Sequence, residues 1–316
     1  LAESVTHWVD AQNMSDRELV RRIRQDRIDI LVDCSGHTQG NRLTVFAYKP
    51  APIQISAFGF IFTPGMKAMD YQFSDTTATP PFREPLYTER LIQLTTQIHG
   101  RPIMPSLEEL DVQPPPCEEN GYITFGSGNG TFKHNDEVIA LWAAILKHVP
   151  NSRLHFKHLM FGDLWLQKCF RQAFSQLGVE PERILFSGAT KPLEHFQFYN
   201  TIDIALDPFP YTGGMTTCET LYMGVPVIAL NSDGIRTSQS LLAVAGVSEL
   251  IAANKDEYGR KAIQLARSPQ ALSQYRQTLR SKLMNSPIAN TRAFIWEIEQ
   301  AYRHVWRLWC EEKVER

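Results

Sequence analysis

The chain has 316 residues, 43% of them hydrophobic and 21% charged, which is enough apolar material for two ordinary globular domains. Its 32 basic and 34 acidic residues leave a formal net charge of -2, so no global charge draws it to nucleic acid or to an anionic membrane. No apolar run approaches the roughly 18–20 residues that a membrane span requires.

The five cysteines (Cys34, Cys117, Cys169, Cys218 and Cys310) are scattered, odd in number and in no metal-ligand spacing. That pattern points to a reducing, cytoplasmic compartment. No secretory signal is visible at the end that opens on Leu1.

In chain order, the first expected element is an amphipathic helix from about Ser15 to Gln25, with Ser15 as N-cap and Glu18 at the capping-box position. Residues Ile28 to Val32 read as a buried strand, Asn41 to Tyr48 as a helix stopped by Pro50, and Ile53 to Ala57 as the next strand. Residues 76–90, rich in Thr and Pro, read as a long surface loop. A linker is expected around Pro105 to Asn120, which contains Pro114-Pro115-Pro116.

Beyond it, strands are expected at Tyr122–Phe125, Arg153–Lys157, Ile184–Ser187, Ile204–Leu206 and Val227–Ala229. Helices fall between them, notably Asp136 to His148 and Glu219 to Met223, and the tail from Lys255 ends in a long helix over about Asn290 to Cys310. Alternation of this kind builds right-handed βαβ units and parallel sheets. The chain therefore reads as two α/β halves joined near residue 115. Ligands of such sheets bind beyond the carboxyl ends of the strands, so the segments just after each strand are the ones to inspect.

The most informative segment runs from Asp207 to Glu219, between the strand Ile204–Leu206 and a helix. Gly213 and Gly214 let backbone approach a ligand closely. Thr216 and Thr217 bring hydroxyls to a helix N-terminus, where unpaired N–H groups and the dipole favour phosphate. Glu219, in the first helical turn on this reading, offers a carboxylate to a ribose diol. A plain Gly-rich turn with Thr as N-cap explains the same spacing equally well.

The second segment, Gly126-Ser127-Gly128-Asn129-Gly130-Thr131-Phe132-Lys133, follows a strand and precedes a helix. As a dinucleotide fingerprint it fails, because Thr131 stands at the third glycine and no acidic residue ends the next strand. It fits better as a loop facing a diphosphate, with Lys133 neutralising a leaving group. An ordinary surface lysine is the commoner alternative.

His37, in Ser35-Gly36-His37-Thr38, stands after a strand, where it could contact an acceptor or transfer a proton, or simply hold its loop. His195, near a helix start, reads alone as a packed or capping histidine. There is no Gly-x-Ser-x-Gly elbow, no His-Glu-x-x-His, no Walker loop and no Asp-x-Asp pair. A nucleotide-sugar would have to be met here by protein cations and helix termini, without a metal.

Taken together, these segments resemble the catalytic region of the protein O-GlcNAc transferase family in its bacterial, usually TPR-linked form. The matching stretches are Asp29 to Asp33, Ser35 to Thr38, Asn41-Arg42-Leu43 and Pro50 to Gln54 in the first half. In the second they are Thr124 to Ser127, Ala140-Leu141-Trp142, Val149 to Leu154, Asp203 to Asp207, Gly213 to Glu219, Met223 to Val227 and Glu249 to Ala252. Ser286-Pro287 and Ala301 to Trp306 also fit.

The resemblance implies an α/β fold of GT-B type, with two Rossmann-like lobes whose parallel sheets face a cleft. Residues 1–115 would form a partial N-terminal acceptor-side lobe, opening inside the family's first lobe. Residues 116–316 would form the UDP-sugar-binding lobe with the C-terminal helices.

It further implies inverting, metal-independent transfer of N-acetylglucosamine from UDP-GlcNAc to Ser or Thr hydroxyls of proteins. No cofactor, nucleic acid or membrane would be involved. Thr216 and Thr217 would contact the diphosphate, with Asn129, Gly213, Gly214 and Met215 beside it. Glu219 would hold the ribose, and His195 would lie near the uridine. Lys133 would stabilise the leaving UDP, and His37 would border the acceptor.

Relatives that move glucose to Asn, or a UDP-binding scaffold without turnover, remain the alternative readings. Departures bear on these. Phe62 stands in Gly59-Phe60-Ile61-Phe62-Thr63-Pro64-Gly65 where the family has a glycine, and Gly130 replaces an amide residue. Met215 fills a position often Thr or His, and Asp233-Gly234-Ile235 replaces His-Ala-Ser before Arg236.

Overall fold

A computed structural model describes residues 2–95 and 110–314. The chain divides into two compact units, one of Leu1–Ile98 with Ile295–Arg316 and one of His99–Phe294.

The first unit carries a four-stranded parallel sheet in the order β1 (Ile30–Asp33), β2 (Ile53–Ser56), β3 (Tyr71–Asp75), β4 (Arg90–Leu94). Helix α1 (Asp16–Gln25) opens on the expected capping box: Glu18 N–H donates to Ser15 Oγ and Ser15 N–H to Glu18 Oε2, at 3.3 and 2.8 Å. Its apolar stripe, Val20 and Ile23, packs with Leu43, Val45 and Phe46 around the short helix α2 (Leu43–Ala47) and with Met69.

Two strands were not anticipated. The region expected as a loop over 76–90 contains a 3-10 helix at Pro81–Leu86 and the first residue of β4, and β3 precedes it. In β3 the buried positions include Gln72 and Ser74, and Ser74 donates to the Thr79 hydroxyl at 2.7 Å. Polar side chains buried inside a sheet give no hydrophobic alternation to read.

The second unit holds a six-stranded, wholly parallel sheet. Its strands in chain order are β5 (Thr124–Ser127), β6 (Arg153–Lys157), β7 (Ile184–Ser187), β8 (Ile204–Leu206), β9 (Val227–Leu230) and β10 (Ile251–Ala252). In space they run β10-β9-β8-β5-β6-β7. Strands β6, β7 and β8 lie at their expected bounds, β5 starts two residues late, and the two-residue β10 was not foreseen.

From β5 the chain winds outward through β6 and β7, then returns to β8 on the other side and winds out to β10. This doubly wound order places a topological switch between β5 and β8. Gly126 lets β5 sit in this packed centre, since a Cβ there would fall 2.6 Å from the Ile202 side chain.

The helices are α3 (Cys117–Asn120), α4 (Asp136–His148), α5 (Leu164–Gln176), α6 (Pro192–Gln197), α7 (Met215–Tyr222), α8 (Thr237–Val244), α9 (Lys255–Ala266) and α10 (Pro269–Met284). Only part of the expected linker, from 110 onward, can be placed; residues 105–109 of it lie outside the described residues. Trp142, Phe156, Phe161, Phe174 and Tyr258 are fully buried in the core. Trp142 Nε1 donates to Tyr258 OH at 3.2 Å, and Tyr258 OH donates to the Asp207 carbonyl at 3.0 Å, so the core is tied to the segment after β8.

The last helix, α11 (Thr291–Val314), passes from one unit's residues to the other's at 294/295. From Ile295 it packs with the first sheet: Glu297 accepts from the Thr95 N–H at 2.5 Å, and Tyr302 meets the edge of Phe73 at 5.8 Å. The division thus falls near 98 and 294, whereas the sequence pointed to 115 and gave the whole tail to the second half.

Candidate functional site

Ligands of doubly wound sheets sit beyond the strand ends at the switch point. In the second unit, the two loops that leave that point are those after β5 and after β8. Asp207 is the first residue after β8 and is buried. Its Oδ1 accepts the Gly213 N–H at 2.8 Å, folding the loop back on itself. Burial pushes its carboxyl up to about 6, against the pull of the Gly213 N–H and of the Lys133 charge.

Lys133 reaches in from the β5 loop. Its Nζ donates to the Thr212 carbonyl at 2.7 Å and to Asn129 Oδ1 at 3.1 Å, and it lies 4.3 Å from the Tyr211 ring centroid. Burial lowers its pKa while the Asp207 carboxylate holds it up. Asn129 Oδ1 also accepts from the Thr216 hydroxyl at 3.3 Å, so one carboxamide ties the β5 loop to the start of α7. Its neighbour His134 belongs to the core among Trp142, Phe156 and Phe170, where burial holds it neutral, with its pKa down to about 3.

Helix α7 begins four residues before the expected Glu219, with Gly214 as an N-cap that offers no side chain. Thr216 and Thr217 therefore occupy the first turn and Glu219 the second. Gly213 is held to glycine by crowding: a Cβ would lie 2.4 Å from Thr217 Oγ and 2.8 Å from Asp207 Oδ1. Met215 stands at the helix start, half-exposed.

The two threonine hydroxyls differ in what they face. Ser238 Oγ lies 3.0 Å from the Gly213 carbonyl and 2.8 Å from Thr217 Oγ, so the two hydroxyls are paired with each other. The Thr217 hydroxyl is buried against Ser238 of α8. What remains at the helix start are the first-turn N–H groups and Thr216.

One turn further along α7, Glu219 Oε2 accepts from Tyr199 OH at 2.8 Å and pairs with His195 Nε2 at 2.9 Å. His195 and Glu219, named separately from the sequence, are thus direct partners. His195 is brought there by α6, whose first residue is Pro192.

His37 belongs to the first unit. Asp33, at the end of β1, accepts from the N–H groups of Ser35 and Gly36 at 3.1 and 2.8 Å and shapes its loop. The ring nitrogen Nε2 lies 3.0 Å from the Pro64 carbonyl, which requires the Nε2–H tautomer, and the ring meets Phe60 edge-on at 5.5 Å. The loop bearing Phe60 and Pro64 packs tightly here: a Cβ on Gly59 would fall 1.7 Å from the Cys34 carbonyl oxygen. Phe62 rests against Tyr87 at 5.5 Å.

The named residues therefore fall into two groups: His37 in the first unit, and Asn129, Lys133, His195, Gly213, Gly214, Met215, Thr216, Thr217 and Glu219 in the second. Tyr199, Thr212 and Ser238 carry site contacts that the sequence did not single out, and Asp207 was quoted there without a role. Only Asp207 had a usable signal, an acid directly after an apolar strand. Among the described residues, no three His, Cys, Asp or Glu side chains converge as metal ligands would, and no helix is long and apolar enough to cross a membrane.

The sequence matches glycosyl transferase family 41 over residues 1–100 and 118–298. It is 37% identical over 97% of its length to a protein of Petunia hybrida named probable UDP-N-acetylglucosamine--peptide N-acetylglucosaminyltransferase SPINDLY. The chain spans about a third of that relative, 33% of its length. The solved structure of a Thermobaculum terrenum O-GlcNAc transferase mutant superposes with a TM-score of 0.92 at 35% identity, over 99% of this chain and 59% of that one. Anabaena HepE, solved in complex with UDP and glucose, shares the fold alone, with a TM-score of 0.59 at 14% identity over 94% of this chain and 84% of that one. The fold class is the GT-B type that the sequence implied. Two Rossmann-like parallel sheets, paired loops at a switch point and a match along nearly all of its length lead to one placement: the chain belongs to glycosyl transferase family 41.

Proposed function

We propose that this chain is the catalytic region of an inverting, metal-independent glycosyltransferase that moves N-acetylglucosamine from UDP-GlcNAc to Ser and Thr hydroxyls of proteins. The observation that carries the reading is the Lys133 ammonium, held at the switch point by two neutral oxygens, Thr212 O and Asn129 Oδ1, beside the first turn of α7. Asp207 is the carboxylate whose charge Lys133 feels, but neither of these two hydrogen bonds goes to a carboxylate, which leaves the ammonium open to an incoming anion.

In the reaction, an acceptor hydroxyl attacks the anomeric carbon and passes its proton to a phosphate oxygen of the donor, as the bond from that carbon to the β-phosphate oxygen breaks and UDP leaves. The negative charge that develops on departing UDP falls to Lys133 and to the first-turn N–H groups of α7. Glu219, with one oxygen engaged by His195 and Tyr199, offers the other to the ribose hydroxyls. The names of the relatives support both donor and peptide acceptor.

The test begins with calorimetric titration of the chain with UDP in the presence of a chelator, with NADH as control. A panel of nucleotide-sugars follows, with transfer to protein acceptors read by intact mass. Micromolar-range UDP binding and a mass increase of one N-acetylhexosamine are expected. A different sugar mass would keep the mechanism and change the donor, and no UDP binding by a folded chain would remove the reading. A scaffold that binds UDP without turnover is the second reading; it draws on Phe62 and its packing against Tyr87 in the first unit.

A further inference from the structure

A second lysine lies at the carboxyl edge of the same sheet and takes no part in the chemistry above. Lys157 closes β6 and is only 3% exposed. Its Nζ donates to the Thr190 hydroxyl at 2.8 Å and to the Gly188 carbonyl at 3.2 Å, both in the turn that leaves β7. Burying an ammonium is costly, and an apolar side chain would fill the same space at less expense of solvation. What the cation adds is a fixed conformation for that turn.

The turn has little slack elsewhere. A Cβ on Gly188 would come 3.2 Å from the Gly162 backbone. It leads directly into α6, where the Lys191 N–H donates to Glu194 Oε2 at 3.3 Å and the His195 N–H to the Lys191 carbonyl at 2.9 Å. His195 in turn meets Glu219 on the second turn of α7. The diphosphate belongs at the first turn of α7, so the nucleoside lies along the side that holds Glu219, His195 and the 188–191 turn.

We infer that Lys157 is a positioning residue for the nucleoside half of the donor: its ammonium fixes the Gly188–Thr190 turn and, through α6, the placement of His195 against Glu219. This rests on the donor reading proposed above. Burial pulls the Lys157 pKa down and the Glu194 charge holds it up, so the chain's own carboxylate helps to keep the cation charged.

The test compares two probes, UDP and inorganic pyrophosphate, by calorimetry on the full chain. Lys157→Met keeps the length of the side chain and removes its donors. It is expected to weaken UDP about tenfold, the scale of one charged hydrogen bond, with pyrophosphate affinity unchanged. Lys133→Ala is expected to do the reverse, weakening pyrophosphate by at least as large a factor as UDP. A purely structural lysine would not split the two probes, so equal loss of both, or loss of neither, overturns the inference. Should Lys157→Met fail to fold, Thr190→Val decides, because it removes one acceptor and leaves the lysine in place. An unchanged ratio of UDP to pyrophosphate affinity in Thr190→Val overturns the inference as well. A wild-type chain that ignores UDP removes the donor reading itself, and a wild type that binds it beside indifferent variants removes this inference alone.

Discussion

Asp207 meets opposing demands at one carboxylate. It orders the β8 loop through the Gly213 N–H, it faces Lys133, and it is buried. With its folded pKa raised to about 6 from 3.8, the folded chain holds this proton to higher pH than the unfolded chain does. The resulting penalty is absent below the unfolded value, grows as pH rises, and is complete above about 6, where it amounts to about 3 kcal/mol. Asp207→Asn keeps an oxygen for Gly213 and carries no charge. Its stability relative to wild type, from urea unfolding, should improve by about 2 kcal/mol between pH 4.5 and pH 8. A difference that stays constant with pH would show that the carboxylate is not strained by burial. At Lys133 the expectation concerns rate: Lys133→Ala should slow transfer far more than it weakens UDP binding, and equal losses in single-turnover and binding measurements would make it a binding residue only. Lysine and glycine were legible here because charge and backbone freedom announce themselves in a loop. Tyr199 and Ser238 were not, since an aromatic or a serine in a buried turn looks like packing until its partner is known.

Among the elements, the start of α7 is set by crowding. Gly213→Ala would drive a methyl group into Thr217 Oγ and Asp207 Oδ1. A cost of about 1–3 kcal/mol in stability is expected, together with loss of UDP affinity, because the first turn must shift. Normal UDP affinity in a folded Gly213→Ala chain would show that this turn does not face the ligand. The contrasting case is α1, where Ser15→Ala should cost about 1 kcal/mol in urea unfolding through the lost cap and leave UDP affinity untouched. Strands β6, β7 and β8 were readable as short apolar runs between turn residues, and α1 through its capping box. The start of α7 was misplaced because Gly-Gly-Met-Thr-Thr reads as loop, whereas the helix begins at Met215 without a side-chain cap. In the same way β3 hid behind Gln72 and Ser74, whose burial depends on partners elsewhere in the chain.

For the whole molecule, alternation of strands and helices was enough to give two parallel α/β units. Their boundaries were not readable, because the final helix owes its place to Tyr302 and Glu297 meeting the first sheet, a contact with no local signature. The residues proposed for the donor all belong to the second unit and His37 to the first. His37→Ala should therefore leave the UDP dissociation constant within about twofold of wild type while lowering transfer. The twofold bound corresponds to about 0.4 kcal/mol, and a larger drop in UDP affinity would place His37 in the donor's environment.

The switch-point order also sets a timetable. Lys133 leaves the ribosome 79 residues before Thr212, the carbonyl that anchors it. At about 5–20 residues per second, that is a wait of roughly 4–16 s, during which β6, β7, β8 and the helices α4, α5 and α6 are made. Nothing that recognises the Lys133–Thr212 pair can assist the chain during that interval. On the proposed reading, UDP would be no template for the nascent protein: it could reward the Lys133–Thr212 pair only once the β8 loop had been made.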